Sequence, residues 1–399
     1  MSTRSIEREA MGRTPALRVG VAGLGLAGAL MVSVIEDHAG CTLAAVAEPH
    51  AHLRARFEAD RRAPAYADLQ GVVERDDVDA IYIATPHQFH REHAELAARH
   101  GKHVIVEKPM ALSLADCDAM IEAAARYGVT LIVGHTHSFD PAVRTMREII
   151  ESGAYGRLRM ATGWNYTDFL YRPRRPEELD TAKGGGILFN QLPHQVDTVR
   201  YLNRSPLRSV RAATGMFDPA RPTEGSCAVF LDFEDGACAS LVYSGYDRFD
   251  TDEWHGWIGE GGFRKSAAHG ATRRAWDRFA NAEEEAAARS ERYGYGGTLA
   301  PAAQTPPHQP HFGVMVASCE QADLRQSANG VWVYSREGVH EIAVPDQGGR
   351  PGRSDVLDEL WLAVRGGVAP VHDGHFARGT VAASLAILRS ARERREILL

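Results

Sequence analysis

The stretch Leu17-Arg18-Val19-Gly20-Val21-Ala22-Gly23-Leu24-Gly25-Leu26-Ala27-Gly28-Ala29-Leu30-Met31 decides the fold. Arg18–Ala22 is a short apolar run, as expected of a strand covered on both faces. Ala27–Asp37 has the length and composition of a helix. Between them, Gly23-x-Gly25-x-x-Gly28 puts three glycines where strand turns into helix. The first permits a tight turn, the second lets backbone approach a pyrophosphate, and the third lets the helix pack closely on the strand. The free N–H groups of the first helical turn then face the phosphates at the positive end of the helix dipole. Glu48 lies about 20 residues beyond Gly28, at the end of the next strand-like run, Thr42–Ala47. A carboxylate there hydrogen-bonds the adenosine ribose and repels a 2′-phosphate, which favours NAD. Arg54 and Arg56 follow closely and keep NADP as the second choice. The uncharged run Val19–Ile35 approaches the length of a membrane span, but Gly20, Gly23, Gly25 and Gly28 suit a strand, a turn and a helix better.

The alternation continues downstream. Ala51–Asp60 reads as helix, Ala80–Ala84 as strand, Gln88–Arg99 as amphipathic helix, and His103–Val106 as strand. Leu114–Tyr127 follows as a helix closed by Gly128, and Thr130–Val133 as a last strand. Strands separated by helices of this length imply βαβ units and a parallel sheet. After about residue 140 the grammar changes. Cys227–Phe233 and Ala237–Tyr243 form a hairpin around Asp235-Gly236, and Val314–Cys319, Val331–Tyr334 and Val339–Val344 add further strands. The expected fold is α/β: an N-terminal Rossmann domain, then an α+β domain around a mostly antiparallel sheet. Residues 1–16 are expected to be a disordered lead-in, 17–138 the dinucleotide domain and 139–399 the substrate domain. Residues 250–310 are polar and read as an insertion, helical at Glu283–Arg292. Two helices, Asp355–Arg365 and Ala377–Leu398, close the chain, and the final helices are expected to pack back on the first domain.

A chain of 399 residues with 44 % apolar and 24 % charged residues has ample material for soluble globular domains. The net charge of -7 argues against nucleic-acid or anionic-membrane partners. Cys41, Cys117, Cys227, Cys238 and Cys319 are odd in number and form no CxxC pair, so buried thiols in a reducing cytoplasm are expected. Residues 1–15 hold no apolar stretch and do not read as a signal peptide.

Ligands of a parallel sheet sit beyond the carboxyl ends of its strands. Three loops there carry chemistry: Ala84-Thr85-Pro86-His87-Gln88-Phe89-His90, Glu107-Lys108-Pro109, and Gly134-His135-Thr136-His137. Lys108, held between a carboxylate and a proline, is the candidate base. Beside an oxidised nicotinamide its pKa should fall, letting it take a substrate hydroxyl proton. His135 and His137 alternate, so on an extended segment they share a face; with no third ligand evident, they line a substrate pocket and no metal is assigned. In the second domain Lys183-Gly184-Gly185-Gly186 precedes Asn190, His194 and Asp197, spaced to share one helix face. His194 is a second candidate acid/base.

In these motifs the chain resembles the Gfo/Idh/MocA (glucose-fructose oxidoreductase, inositol dehydrogenase, rhizopine catabolism) family. The glycine turn, Ala84–Pro86, Gly101–Pro109 and the glycine triplet before His194 occur in order, from about Leu17 to the final helix. The resemblance implies that the second domain's sheet is large, open and the surface of a homodimer or homotetramer. It implies that Lys108 is the catalytic lysine and His194 the catalytic histidine. The family usually carries aspartate where this chain has Asn190, which can orient a hydroxyl but cannot carry a proton. Gly134–Asp140, Tyr171–Leu179 and Cys319–Ser327 resemble the phthalate 4,5-cis-dihydrodiol dehydrogenase branch. There, Arg172, Arg174 and Arg175 would pair with the substrate carboxylates. The expected reaction is NAD-linked oxidation of a cis-dihydrodiol dicarboxylate to a catechol in aromatic degradation. Oxidation of a sugar or inositol, and dinucleotide sensing without turnover, are the alternatives.

Overall fold

The computed structural model describes Met11 and residues 14–134, 136–298, 305–345 and 349–399. His135 and most of the expected lead-in lie outside the described residues. The chain divides into two compact units. The first comprises residues 1–135, 290–305 and 347–378; the second comprises 136–289, 306–346 and 379–399.

In the first unit, β1 (Leu17–Ala22), β2 (Cys41–Ala47), β3 (Ala65–Tyr66), β4 (Ala80–Ile83), β5 (His103–Glu107) and β6 (Leu131–Gly134) form one sheet in the order β3-β2-β1-β4-β5-β6. Every pairing is parallel, with Val19 beside Ala80 and Val104 beside Leu131. The order reverses between β1 and β4, the switch point at which dinucleotides bind. Val19, Val21, Ile81, Ile83, Val104 and Val106 are buried, as a sheet covered on both faces requires. Helix Arg353–Arg365, from near the end of the chain, packs on helix Leu26–Glu36 and on β6 of this unit.

The second unit holds β7 (Leu158–Tyr166), β8 (Leu207–Gly215), β9 (Ser226–Phe233), β10 (Cys238–Ser244), β11 (Val314–Cys319), β12 (Ala322–Gln326), β13 (Gly330–Ser335), β14 (Gly338–Ala343) and β15 (Ile397–Leu398). Their order is β14-β13-β12-β11-β7-β10-β9-β8-β15, antiparallel except for β7 beside β10. One face is buried: Ala142, Val143 and Met146 of helix Pro141–Glu151 pack with Leu158, Ala317, Leu324, Val331 and Val333. On the other face Met160, Trp164 and Phe230 remain 44 %, 37 % and 48 % exposed.

Three local expectations are corrected. Asn190 and His194 do not share one helix: Gly186–Asn190 stops at Gln191, and Leu192–Asn203 starts anew. Pro193, in the first turn of the new helix, lacks the N–H needed to continue the old one. His137 lies in a 3-10 turn, Thr136–Phe139, and not on an extended segment. The last helix, Gly374–Glu393, ends before Arg394, whose φ is 53°, and Ile397–Leu398 then pairs with β8.

Candidate active site

The glycine turn closes β1 onto the next helix. A Cβ on Gly28 would stand 1.8 Å from the Gly23 carbonyl oxygen, so helix and turn meet as closely as only glycine allows. Gly23 has φ of 91°, and a Cβ there would also press on the Ala84 carbonyl at 2.9 Å. Gly25, in contrast, has nothing within 4 Å of where a Cβ would stand. This is an open cradle beside a helix N-terminus, and it fits a pyrophosphate. The Leu24 N–H donates to Glu48 Oε2 at 2.8 Å, while Glu48 Oε1 takes the His50 N–H at 3.1 Å. Glu48 therefore pins the turn from the end of β2, where the dinucleotide-binding pattern assigns it the ribose. Arg54 Nη1 donates to the carbonyls of Glu48 and Pro49, and the Arg56 guanidinium lies against Gly296.

His90 is fully buried behind the loops that follow β4 and β5. Its ring nitrogens lie 2.9 Å from the Thr85 carbonyl and 3.0 Å from the Pro109 carbonyl. Burial pushes its pKa down, so it stays neutral. His90 thus braces the two loops, with His87 edge-on above it at 5.5 Å. Glu107 turns back toward the sheet: it accepts from the Tyr82 hydroxyl and, at 3.2 Å, from the Lys108 N–H. Lys108 is half-buried at the carboxyl end of β5.

In the second unit His194 stands in the first turn of helix Leu192–Asn203 and is 6 % exposed. Its ring meets that of His137 edge-on at 4.8 Å, and Phe312 packs against both, at 4.6 Å from His137 and 4.9 Å from His194. His137 has both nitrogens engaged, Nδ1 with Asp140 at 2.9 Å and Nε2 with Glu260 at 3.1 Å. Burial opposes its charge, but the two carboxylates outweigh that and raise its pKa to about 9. His137 is therefore a clamped cation and the support of His194.

The three arginines separate. Arg172 Nε donates to Asp168 at 2.7 Å; burial works against the Asp168 charge, yet Arg172 and Thr272 hold its carboxyl down at about 2. Among the described residues nothing accepts from the Arg172 terminal amino groups; the carboxylates that act on it are Asp168 and Glu260, and the buried, neutral Tyr243 phenol is also near. Arg172 thus belongs to the histidine cluster. Arg174 covers the Phe169 ring at 3.8 Å and lines a separate cavity of about 990 Å³ with Arg221 and Glu224. Arg175 is exposed beside Glu177 and Glu178. Asn190 donates to the carbonyls of Gly184 at 3.0 Å and Gly186 at 2.9 Å, so it shapes the glycine triplet.

Asp140, Tyr243, Glu260 and Phe312 escape sequence reasoning. The i,i+3 spacing of His137 and Asp140 is a usable signal. Glu260 stands alone among glycines inside the polar insertion, and Phe312 is one aromatic in an irregular stretch, so neither carries one.

A dinucleotide cradle at the switch point, a lysine at a strand end and a buried histidine cluster define an NAD-dependent oxidoreductase. Residues 17–135 match the model of the oxidoreductase family with an NAD-binding Rossmann fold, and residues 143–262 match the GFO/IDH/MocA C-terminal domain; the chain belongs to this family. It is 40 % identical over 94 % of its length, and 95 % of the relative's, to 1-carboxy-3-chloro-3,4-dihydroxycyclohexa-1,5-diene dehydrogenase of Comamonas testosteroni. A solved structure from Bordetella bronchiseptica RB50, described as a dehydrogenase, is 46 % identical with a TM-score of 0.92, covering 96 % of this chain and all of that one. Levoglucosan dehydrogenase with NADH and levoglucosan shares the fold at 18 % identity, TM-score 0.72, covering 96 % and 99 % of the two chains.

Proposed function

We propose that the protein oxidises a cis-dihydrodiol bearing a ring carboxylate to the corresponding catechol, with NAD. The observation that carries this reading is Arg172. Its Nε is fixed on Asp168, which aims the rest of a planar fork, and a carboxylate is the group that two parallel N–H donors fit. One arginine in the histidine cluster suits one carboxylate, the number in the name of the Comamonas relative. Phthalate 4,5-cis-dihydrodiol, with two, is the next candidate of the same class.

Bound NAD supplies the acceptor for the two electrons and the hydrogen that leave the carbinol carbon. Lys108 or His194 takes the hydroxyl proton, and the resulting ketone enolises to the aromatic ring. Asn190 has no part in proton transfer. The homo-oligomer forms through the open sheet face that carries Met160, Trp164 and Phe230, and the enzyme works in the cytoplasm.

The test is a substrate panel: mono- and dicarboxylated cis-dihydrodiols, an uncharged cis-dihydrodiol, inositol and glucose, followed at the reduced-nicotinamide absorbance. Arg172→Lys, which keeps a cation beside Asp168 but loses the fork, should raise KM for carboxylated substrates by about 10- to 100-fold and leave the uncharged diol unchanged. Lys108→Ala should abolish turnover if Lys108 is the base. Turnover of inositol or glucose and of no dihydrodiol would overturn the substrate class.

A further inference from the structure

The dinucleotide turn has a support that comes from far along the chain. Residues 290–298 belong to the first unit, and Gly294 and Tyr295 among them lie against the turn. The Tyr295 N–H donates to the Leu24 carbonyl at 2.9 Å. Glu48 already takes the Leu24 N–H at 2.8 Å, so both peptide groups flanking Leu24 are fixed from outside the turn. The second of those peptides matters for binding. In a trans peptide the N–H points opposite to the carbonyl. With the Leu24 carbonyl directed at Tyr295, the Gly25 N–H is directed away from it. Gly25 is also the glycine of the turn whose Cβ position has nothing within 4 Å, so there is room for a ligand.

The strap is itself anchored. Tyr295 is 8 % exposed, and its ring stands edge-on to Phe57 at 5.3 Å; Phe57 is fully buried on helix Ala51–Asp60. Gly294 and Gly296 take φ of 105° and 74°, and the Gly297 N–H returns to the Gly294 carbonyl at 3.0 Å. The Thr298 N–H closes on the Glu291 carbonyl at 3.0 Å. The Gly-Tyr-Gly-Gly run is thus a tight loop that presents one backbone donor.

We propose that the strap around Tyr295 is a part of the NAD site: it holds the glycine turn ready for the pyrophosphate before the cofactor arrives. Three glycines make such a turn conformationally costly to order, and ordering it in advance removes that cost from binding.

The experiment uses the full-length protein. Tyr295→Pro deletes the donor; Tyr295→Ala keeps the donor and loses the ring anchor; Tyr295→Phe keeps both. NADH affinity is measured by fluorescence titration, and hydrogen exchange of residues 22–28 is followed without cofactor. The expected result is an affinity about tenfold weaker for Tyr295→Pro, with faster exchange in the turn, and no change for Tyr295→Phe. Should Tyr295→Pro fail to fold, Tyr295→Ala is expected to show the same two effects. Unchanged affinity and exchange in whichever of these two variants folds would overturn the proposal, whatever substrate the enzyme turns over.

Discussion

His137 shows how a residue's neighbours decide its chemistry. Its place in a loop at the carboxyl end of β6 makes it a pocket-lining candidate, but Asp140 and Glu260 occupy its two nitrogens. Its pKa in the folded protein is raised from the ordinary 6.5 to about 9. The stability it contributes is therefore fully present below about pH 6.5 and is lost as the pH rises through about 9. The upper limit is roughly 3 kcal/mol, and solvent at the half-exposed Glu260 reduces it. Urea midpoints at pH 6 and pH 9.5 check this: the fall between them should be larger for the wild type than for His137→Gln. An equal fall in both would show that His137 is not charged in the fold. His90 is the opposite case: its ring nitrogens meet only backbone carbonyls, and burial outweighs the more distant Glu107 and holds it neutral.

At the scale of elements, the glycine triplet depends on the short helix behind it. Asn190 donates to the carbonyls of Gly184 and Gly186. An aspartate, the residue usual in the family, would set a carboxylate against two carbonyl oxygens. Asn190→Asp should therefore cost about 1–3 kcal/mol at pH 7, seen as a lower Tm, and should recover part of it near pH 4, where a protonated carboxyl can donate. Equal melting of the two proteins at pH 7 would contradict the bracing role. The same segment shows where periodicity fails. Asn190, His194 and Asp197 have helical spacing, yet Pro193 restarts the helix between the first two. Strands β7 and β8 escape a sequence reading for a related reason: Arg159, Gly163 and Asn165 in one, and Arg208, Arg211 and Gly215 in the other, blur an alternation that only the pairing with neighbours makes decisive.

At the scale of the whole molecule, a nine-stranded sheet with helices on one face leaves an apolar patch around Met160, Trp164 and Phe230. Phe230→Glu combined with Trp164→Glu should convert a dimer or tetramer to a monomer by light scattering, with the fold intact by circular dichroism. A wild type that is already monomeric would remove that reading. Five strands of the first sheet are legible because their logic is local: their cores are apolar, charges such as Arg18 and Glu107 fall only at their ends, and the turn chemistry of Gly23, Gly25 and Gly28 is written in closely spaced positions, whereas the two-residue strand Ala65–Tyr66 is too short to show a pattern. The sequence by itself therefore determined the dinucleotide fold, the strand-end positions of Glu48 and Lys108, and the family. The tertiary structure alone decided that Glu260 of the polar insertion clamps His137, that Arg172 stands apart from Arg174 and Arg175, and that Tyr295 supports Leu24. Those contacts join residues up to hundreds of positions apart, and no local pattern records a pairing that only the closed chain brings about.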